Sequence, residues 1–227
     1  MKPVIIAIDG PSGAGKSTVS RTLARRLGFY YIDSGALYRI VALELGKQTI
    51  SETNEQEIAR VCDDLEVDFL NENGKDGILR KGEDISTAIR APEVGMLASR
   101  ISAIKVTRDH LTALQRKMVK RGNTVVEGRD AGTVVFPRAP LKFYLDASPA
   151  ERGRRRYEEL SHKGFKVTVE QVTEEVLKRD YSDSTRTYAP LVQAPDAVFI
   201  DSTAMAVEEV VGKMMQVIKS KISGGII

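Results

Sequence analysis

The chain has 227 residues, 42% of them hydrophobic, enough to bury a substantial core within the size range of one domain with insertions. Its 34 lysines and arginines against 31 aspartates and glutamates leave a formal net charge of +3, too small for a protein that coats nucleic acid. Cys62 is the single cysteine, which excludes an intrachain disulfide and makes a reducing, cytoplasmic setting the expectation, and His110 and His162 have no partners at metal-ligand spacing.

Val4 to Ile8 is an apolar run of the kind that makes a buried parallel strand. It is too short for the apolar core of a signal peptide, and no stretch of the sequence reads as a membrane span. A helix is predicted over Lys16 to Leu27, a second strand over Phe29 to Ile32 and a second helix over Leu37 to Leu45. Thr53, followed three residues later by Gln56, reads as a capping box for a helix that leads into a region out of step with this rhythm, about Glu66 to Arg90. There Glu66 to Leu70 alternates in character, Asn71, Asn73, Gly74 and Gly77 supply turn chemistry, and Ile78 to Arg80 resumes an extended pattern, so a small antiparallel hairpin is expected. A long helix follows around Lys105 to Lys120, then strands at Thr124 to Val126 and Lys142 to Leu145.

A second insertion runs from Ser148 to about Tyr188. Ser148, Pro149 and Glu151 fit the N-cap, N1 and N3 positions of a helix carrying Arg152, Arg154, Arg155 and Arg156. Gly164 interrupts it, and Thr168 with Gln171 offers a capping box for a second helix ending near Arg179. A last strand at Ala197 to Ile200 and a helix from Val207 to Ile222 complete the pattern, with a frayed tail expected at Gly224 and Gly225. Strands alternating with helices predict an α/β fold with a parallel sheet covered on both faces.

Gly10, Pro11, Ser12, Gly13, Ala14, Gly15, Lys16 and Ser17, with Thr18 next, match the G-x-x-x-x-G-K-[ST] phosphate-binding pattern between a strand and a helix. Backbone N–H groups in such a turn point at phosphate oxygens, a lysine reaches the outer phosphates and a hydroxyl takes a place on Mg²⁺. The motif alone leaves kinase, ATPase and GTPase open. The chain lacks an N-K-x-D segment for guanine and an apolar run ending in an acidic pair, which sets aside the GTPase and motor readings. Of the four clustered arginines, Arg152 and Arg156, four residues apart, are the pair expected to touch the donor nucleotide, the others being solvated. Asp33 is read equally as a helix cap or as a contributor, through water, to a Mg²⁺ site with Ser17. Asp9 reads as a loop-orienting group or a buried hydrogen-bonding acid, and Tyr30 and Tyr31 as packing residues.

Asp33-Ser34-Gly35-Ala36-Leu37-Tyr38-Arg39 resembles the segment that opens the acceptor site of nucleoside monophosphate kinases. The likeness extends over nearly the whole chain to the bacterial cytidylate kinase family, through Gly128-Arg129-Asp130-Ala131-Gly132-Thr133-Val134-Val135-Phe136-Pro137, through Arg179-Asp180-Tyr181-Ser182-Asp183-Ser184-Thr185-Arg186, and on into Ala189-Pro190-Leu191. That resemblance implies a P-loop, adenylate-kinase-like fold. It would have a five-stranded parallel core at about 1–38, 106–147 and 189–227, a monophosphate-binding insertion with a small antiparallel sheet at about 39–105, and a helical lid at about 148–188. It implies transfer of the ATP γ-phosphoryl group to CMP, and dCMP, with Mg²⁺, by a monomer that uses neither nucleic acid nor membrane. Lys16, Arg129 and Arg186 would act on the transferring group and the loop residues would hold ATP. The acceptor would meet Ser34 and Arg39, with Ser99, Arg108 and Asp130 on cytosine, Arg39, Arg129 and Arg186 on its phosphate, and Tyr38, Arg179 and Asp183 on the pentose.

The chemistry agrees with such a pocket. Cytosine presents an amine donor beside two acceptors, which an aspartate and an arginine satisfy, whereas uracil would turn an oxygen toward the carboxylate. Glu127 and Ala131 depart from the family's commonest residues at their positions, and neither is an expected contact. The competing readings are a P-loop kinase for another small acceptor, such as UMP or dTMP, and a nucleotide-dependent module that binds nucleic acid.

Overall fold

A computed structural model describes residues 3–72, 75–162 and 164–223. Five parallel strands form the main sheet in the order β2 (Tyr30–Asp33), β6 (Thr124–Gly128), β1 (Ile5–Asp9), β7 (Leu141–Asp146) and β8 (Val198–Asp201). β1 lies at the centre, and its Ile6, Ala7 and Ile8 have no exposed surface, as both faces of a parallel sheet demand. One face carries α1 (Lys16–Leu27) and α8 (Val207–Ser223), whose Leu23, Val211 and Met214 pack on Ile6, Ile8 and Phe143. On the other face Val126 and Ile32 meet Met118 and the turn at Val135 and Phe136.

A second apolar cluster fills the region after β2. It joins Leu37, Ile40 and Leu45 of α2 (Ser34–Lys47), Ile58 of α3 (Glu55–Asp63), Ile101 of α4 (Pro92–Ile101) and Leu111 of α5 (Lys105–Met118). A small antiparallel sheet, β3 (Val67–Glu72), β4 (Lys75–Arg80) and β5 (Glu83–Asp84), packs at its edge. α6 (Pro149–His162) and α7 (Val169–Thr185) form a helical hairpin between β7 and β8.

The elements differ from the sequence pattern in instructive ways. Each core strand ends at least one residue later than its apolar run, at Asp9, Asp33, Gly128, Asp146 and Asp201, because the ladder needs backbone and not apolar side chains. Thr53 does not cap α3. Asn54 does, accepting from the Glu57 N–H at 3.2 Å, while the Thr53 hydroxyl pairs with Ser51. α4, with Pro92 at its start, and the short β5 were not anticipated, and α7 runs on past Arg179 to Thr185. The other two caps form as read: Ser148 Oγ accepts from the Glu151 N–H at 3.3 Å, and Thr168 and Gln171 make a reciprocal capping box. The turn residues Asn73 and Gly74, and the tail glycines Gly224 and Gly225, lie outside the described residues. Among the described residues no helix is long and apolar enough to cross a membrane.

Candidate active site

Parallel strands bring their carboxyl ends to one edge of the sheet, and here that edge is polar: Asp9 lies beside Gly128 in register, and Asp33 beside Glu127. β1 runs straight into the loop of residues 10–15. Gly10 is required there, since a Cβ would lie 1.9 Å from the Leu145 carbonyl oxygen. α1 begins at Lys16, so its unpaired N–H groups open on the loop and attract anions. The Lys16 ammonium is buried and donates to the Pro11 carbonyl at 2.6 Å. Burial, with Arg129 nearby, lowers it to about 7 despite the carboxylates of Glu127 and Asp9.

Ser17 donates its hydroxyl to Glu127, which also accepts from the Tyr31 phenol. Burial and the neighbouring Asp33 push the Glu127 carboxyl up to about 7, against the pull of Lys16. Asp33 caps α2, accepting from the Ala36 N–H at 2.9 Å, and its residue also lines the cavity in front of the loop. Asp9 accepts from the N–H groups of Ala131 and Gly132 at 2.8 and 2.7 Å, fixing a π-helical turn over Ala131–Val135. Burial raises its carboxyl to about 6. Tyr31 packs edge-on against Phe69 and beneath the Arg21 guanidinium, and Tyr30 is exposed against Gly122.

The cavity, about 630 Å³, is shared by the loop, Asp33, Glu127 and a set of arginines: Arg39, Arg129, Arg154, Arg155, Arg156 and Arg179. Arg39 reaches from α2 to the Ile89 carbonyl at 3.0 Å, passing Gly95 of α4, where a Cβ would lie 3.0 Å from its Nη1. Arg129 binds Asp183 at 2.9 Å, and Arg186 reaches the other oxygen of Asp183 at 3.4 Å. Among the described residues, Arg179 Nε and Arg186 Nη2 are buried without a hydrogen bond, as is Arg80 Nε of β4; Arg186 Nη2 has an Asp130 oxygen at 3.7 Å. Burial and the neighbouring Arg129 lower Arg179 to about 10. Arg179 lines the cavity, and a buried donor left without a hydrogen bond there suits an oxygen-rich anion.

Next to it lies a tighter polar pocket. Arg108 Nη2 donates to Asp130 at 2.5 Å, its Nη1 to the Ser102 carbonyl at 2.9 Å, and its guanidinium stands 5.5 Å from the centre of the Tyr38 ring. Arg186 approaches the second Asp130 oxygen at 3.7 Å and donates to the Ala189 carbonyl at 2.7 Å. Ser99 stands on the last turn of α4, where its carbonyl accepts from Ser102, and Ser34 lies buried at the start of α2 against Gly128. Residues distant in sequence thus meet in two adjoining compartments, one cationic around the loop and one of arginine, aspartate and tyrosine.

Residues 6–220 match the cytidylate kinase family. The chain belongs to that family. It is 49% identical over 218 residues to the cytidylate kinase of Geobacter sulfurreducens, covering 96% of this chain and 94% of that one. It is 48% identical over 220 residues to the cytidylate kinase of Syntrophotalea carbinolica, covering 97% and 94%. Membership makes the chain a nucleoside monophosphate kinase. Among solved structures, an uncharacterised protein from Eubacterium ventriosum aligns over 96% of this chain and 99% of its own with a TM-score of 0.54 at 13% identity, a likeness of fold alone.

Two features of this family member escaped the sequence pattern. Arg154, Arg155 and Arg156 line the cavity and Arg152 does not, which corrects the choice of Arg152 with Arg156. The first turn of α6 is pressed on α7 and on the loop, so the side of the helix bearing Arg152 is interior; a Cβ on Gly153 would lie 2.0 Å from Thr173 Oγ1. Glu127, passed over as a contact, lines the cavity beside Ser17 and Lys16. Its signal was a carboxylate ending an apolar strand immediately before Gly-Arg-Asp. Ser17, Asp33 and Glu127 give hard oxygen donors, the type Mg²⁺ takes. Among the described residues no group of three or more His, Cys, Asp or Glu is placed to hold a metal ion.

Proposed function

We propose that the chain transfers the γ-phosphoryl group of ATP directly to CMP, and to dCMP, giving the diphosphates. The observation that carries this reading is the buried Arg179 Nε, which lacks a hydrogen-bond partner in the cavity in front of the phosphate-binding loop. A site that gathers two anionic substrates needs that excess of positive charge. The loop from Gly10 to Thr18 would hold the donor triphosphate with backbone N–H groups, and Lys16 would exchange its bond to Pro11 for one to the outer phosphates. Ser17, with Asp33 and Glu127 behind water, would hold Mg²⁺, which when bound neutralises phosphate charge.

Arg39, Arg129 and Arg186 would draw the acceptor phosphate in line, and Arg155 and Arg156 would face the donor. Arg108, Asp130 and Ser99 would read cytosine, and Tyr38, Arg179 and Asp183 would hold the pentose. The insertion at about 39–105 would carry the acceptor and the α6–α7 hairpin, within about 148–188, would close as a lid that keeps water out. No residue serves as a nucleophile, so catalysis rests on position and charge.

ADP release measured in parallel with CMP, dCMP, UMP and AMP tests the reading. CMP and dCMP should turn over well, and UMP should fall about a hundredfold in kcat/KM because its carbonyl meets the Asp130 carboxylate. UMP matching CMP, or no acceptor-dependent ADP, would overturn it.

A further inference from the structure

Ser12 of the donor loop has both of its backbone polar groups taken by side chains of the α6–α7 hairpin. Its N–H donates to Asp180 Oδ1 at 3.0 Å, and its carbonyl accepts from Arg152 Nη1 at 3.0 Å. The same Arg152 nitrogen donates to the second oxygen of Asp180, which closes a ring through the loop, α6 and α7. Arg152 is only 5% exposed, and its Nε is occupied by the Ala147 carbonyl at 2.9 Å with Asp146 at 3.6 Å. The backbones meet as well. Gly13 has a φ of 77°, and a Cβ there would lie 2.8 Å from the Arg152 carbonyl oxygen.

A carboxylate turned toward a loop built for phosphates would repel its ligand unless it were neutralised and kept out of the cavity. Both conditions hold: Arg152 pairs with it, and neither residue lines the cavity. A loop containing Gly10, Gly13 and Gly15 has much backbone freedom to lose on ordering, so contacts that fix it before the nucleotide arrives raise affinity. We infer that Asp180 and Arg152 are positioning residues that hold the donor loop in its phosphate-binding shape through the backbone of Ser12. The base of the hairpin and the loop then move as one unit, leaving the far end of the hairpin to swing. This rests on the reading of residues 10–18 as the ATP site.

The test compares wild type, Asp180→Ala, Arg152→Met and the double variant by equilibrium titration with ADP, by calorimetric titration with CMP, and by hydrogen exchange at the Ser12 amide. Each single variant should bind ADP about tenfold more weakly, a ratio equal to ~1.4 kcal/mol, and CMP within about twofold of wild type. The double variant should lose no more than the worse single one, since either change opens the same ring. The Ser12 amide should exchange faster in Asp180→Ala. If that variant does not fold, Arg152→Met, which keeps most of the aliphatic stem, carries the same expectation for ADP. Undiminished ADP binding, equal losses for ADP and CMP, or additive losses in the double variant would overturn the inference. A wild-type chain that does not bind ADP would overturn the donor reading and this inference with it, whereas normal wild-type binding confines any failure to the clamp.

Discussion

Lys16 is held where an ammonium is least at ease: buried, with Arg129 beside it and Asp9 and Glu127 as partial relief. Its charge therefore adds little to folding, and on the proposed reading it serves the donor phosphates. Replacing it with methionine keeps the stem and should leave the melting temperature near that of wild type, while kcat for ADP release falls by about a hundredfold or more, the usual loss for one stabilising donor in a dry site. Unchanged turnover in a coupled assay would refute its role. Asp130 is a different kind of residue, since it accepts from Arg108 and has Arg186 near. On the proposed reading, Asp130→Ala removes the acceptor for an exocyclic amine, at a residue that does not line the cavity in front of the donor loop. kcat/KM for CMP should drop about a hundredfold with the KM for ATP nearly unchanged, whereas matched losses would count against the cytosine pocket.

At the scale of elements, α7 matters because it presents Asp183 to Arg129 and Arg186 at its carboxyl end. Burial pushes the Asp183 carboxyl up, but Arg129, Arg179 and Arg186 outweigh it and hold the group below the ordinary aspartate range. The fold thus favours the charged form. Its contribution to stability is complete above about pH 4 and is lost as the pH falls through the depressed value. Asp183→Ala strands buried guanidinium groups and should lower the unfolding free energy at pH 7 by about 3 kcal/mol, with the gap to wild type narrowing in urea titrations below about pH 4. The sequence pattern ended this helix at Arg179 and so left Asp183 outside it. Such misses share one cause. Apolar periodicity marks what is buried in a core, whereas the ends of β1 and β6 are buried, and that of β2 half-buried, in a polar site, which is why Asp9, Asp33 and Glu127 fell beyond the strands as read. The loop at Gly10 to Ser17 was legible because phosphate binding dictates residue type at fixed spacing. The inward arginine of α6 was not, because helical spacing says which residues share a face but not which face the neighbours cover.

Over the whole molecule, the apolar cluster around α2, α3, α4 and α5 is separate from the one that clamps α1 and α8 to the sheet, and α6–α7 belongs to neither. Three bodies then surround one cationic cavity, with that cavity as their common boundary. Empty, the arginines repel one another; on the proposed reading the donor's triphosphate and the acceptor's single phosphate would together match that charge and draw both flanks inward, so closure should require both ligands together. Cys62 makes this measurable without interference, since its thiol is buried and burial pushes it up to about 12. Dyes on cysteines at Met96 of α4 and Val169 at the far end of the hairpin, which are 60% and 37% exposed, should report a shorter distance by energy transfer when a non-hydrolysable ATP analogue and CMP are both present. Either ligand given without the other should shift the distance less, because part of the charge then remains unmatched. An identical distance in all four states would mean that the flanks do not close, and that water is kept from the γ-phosphate by some other means.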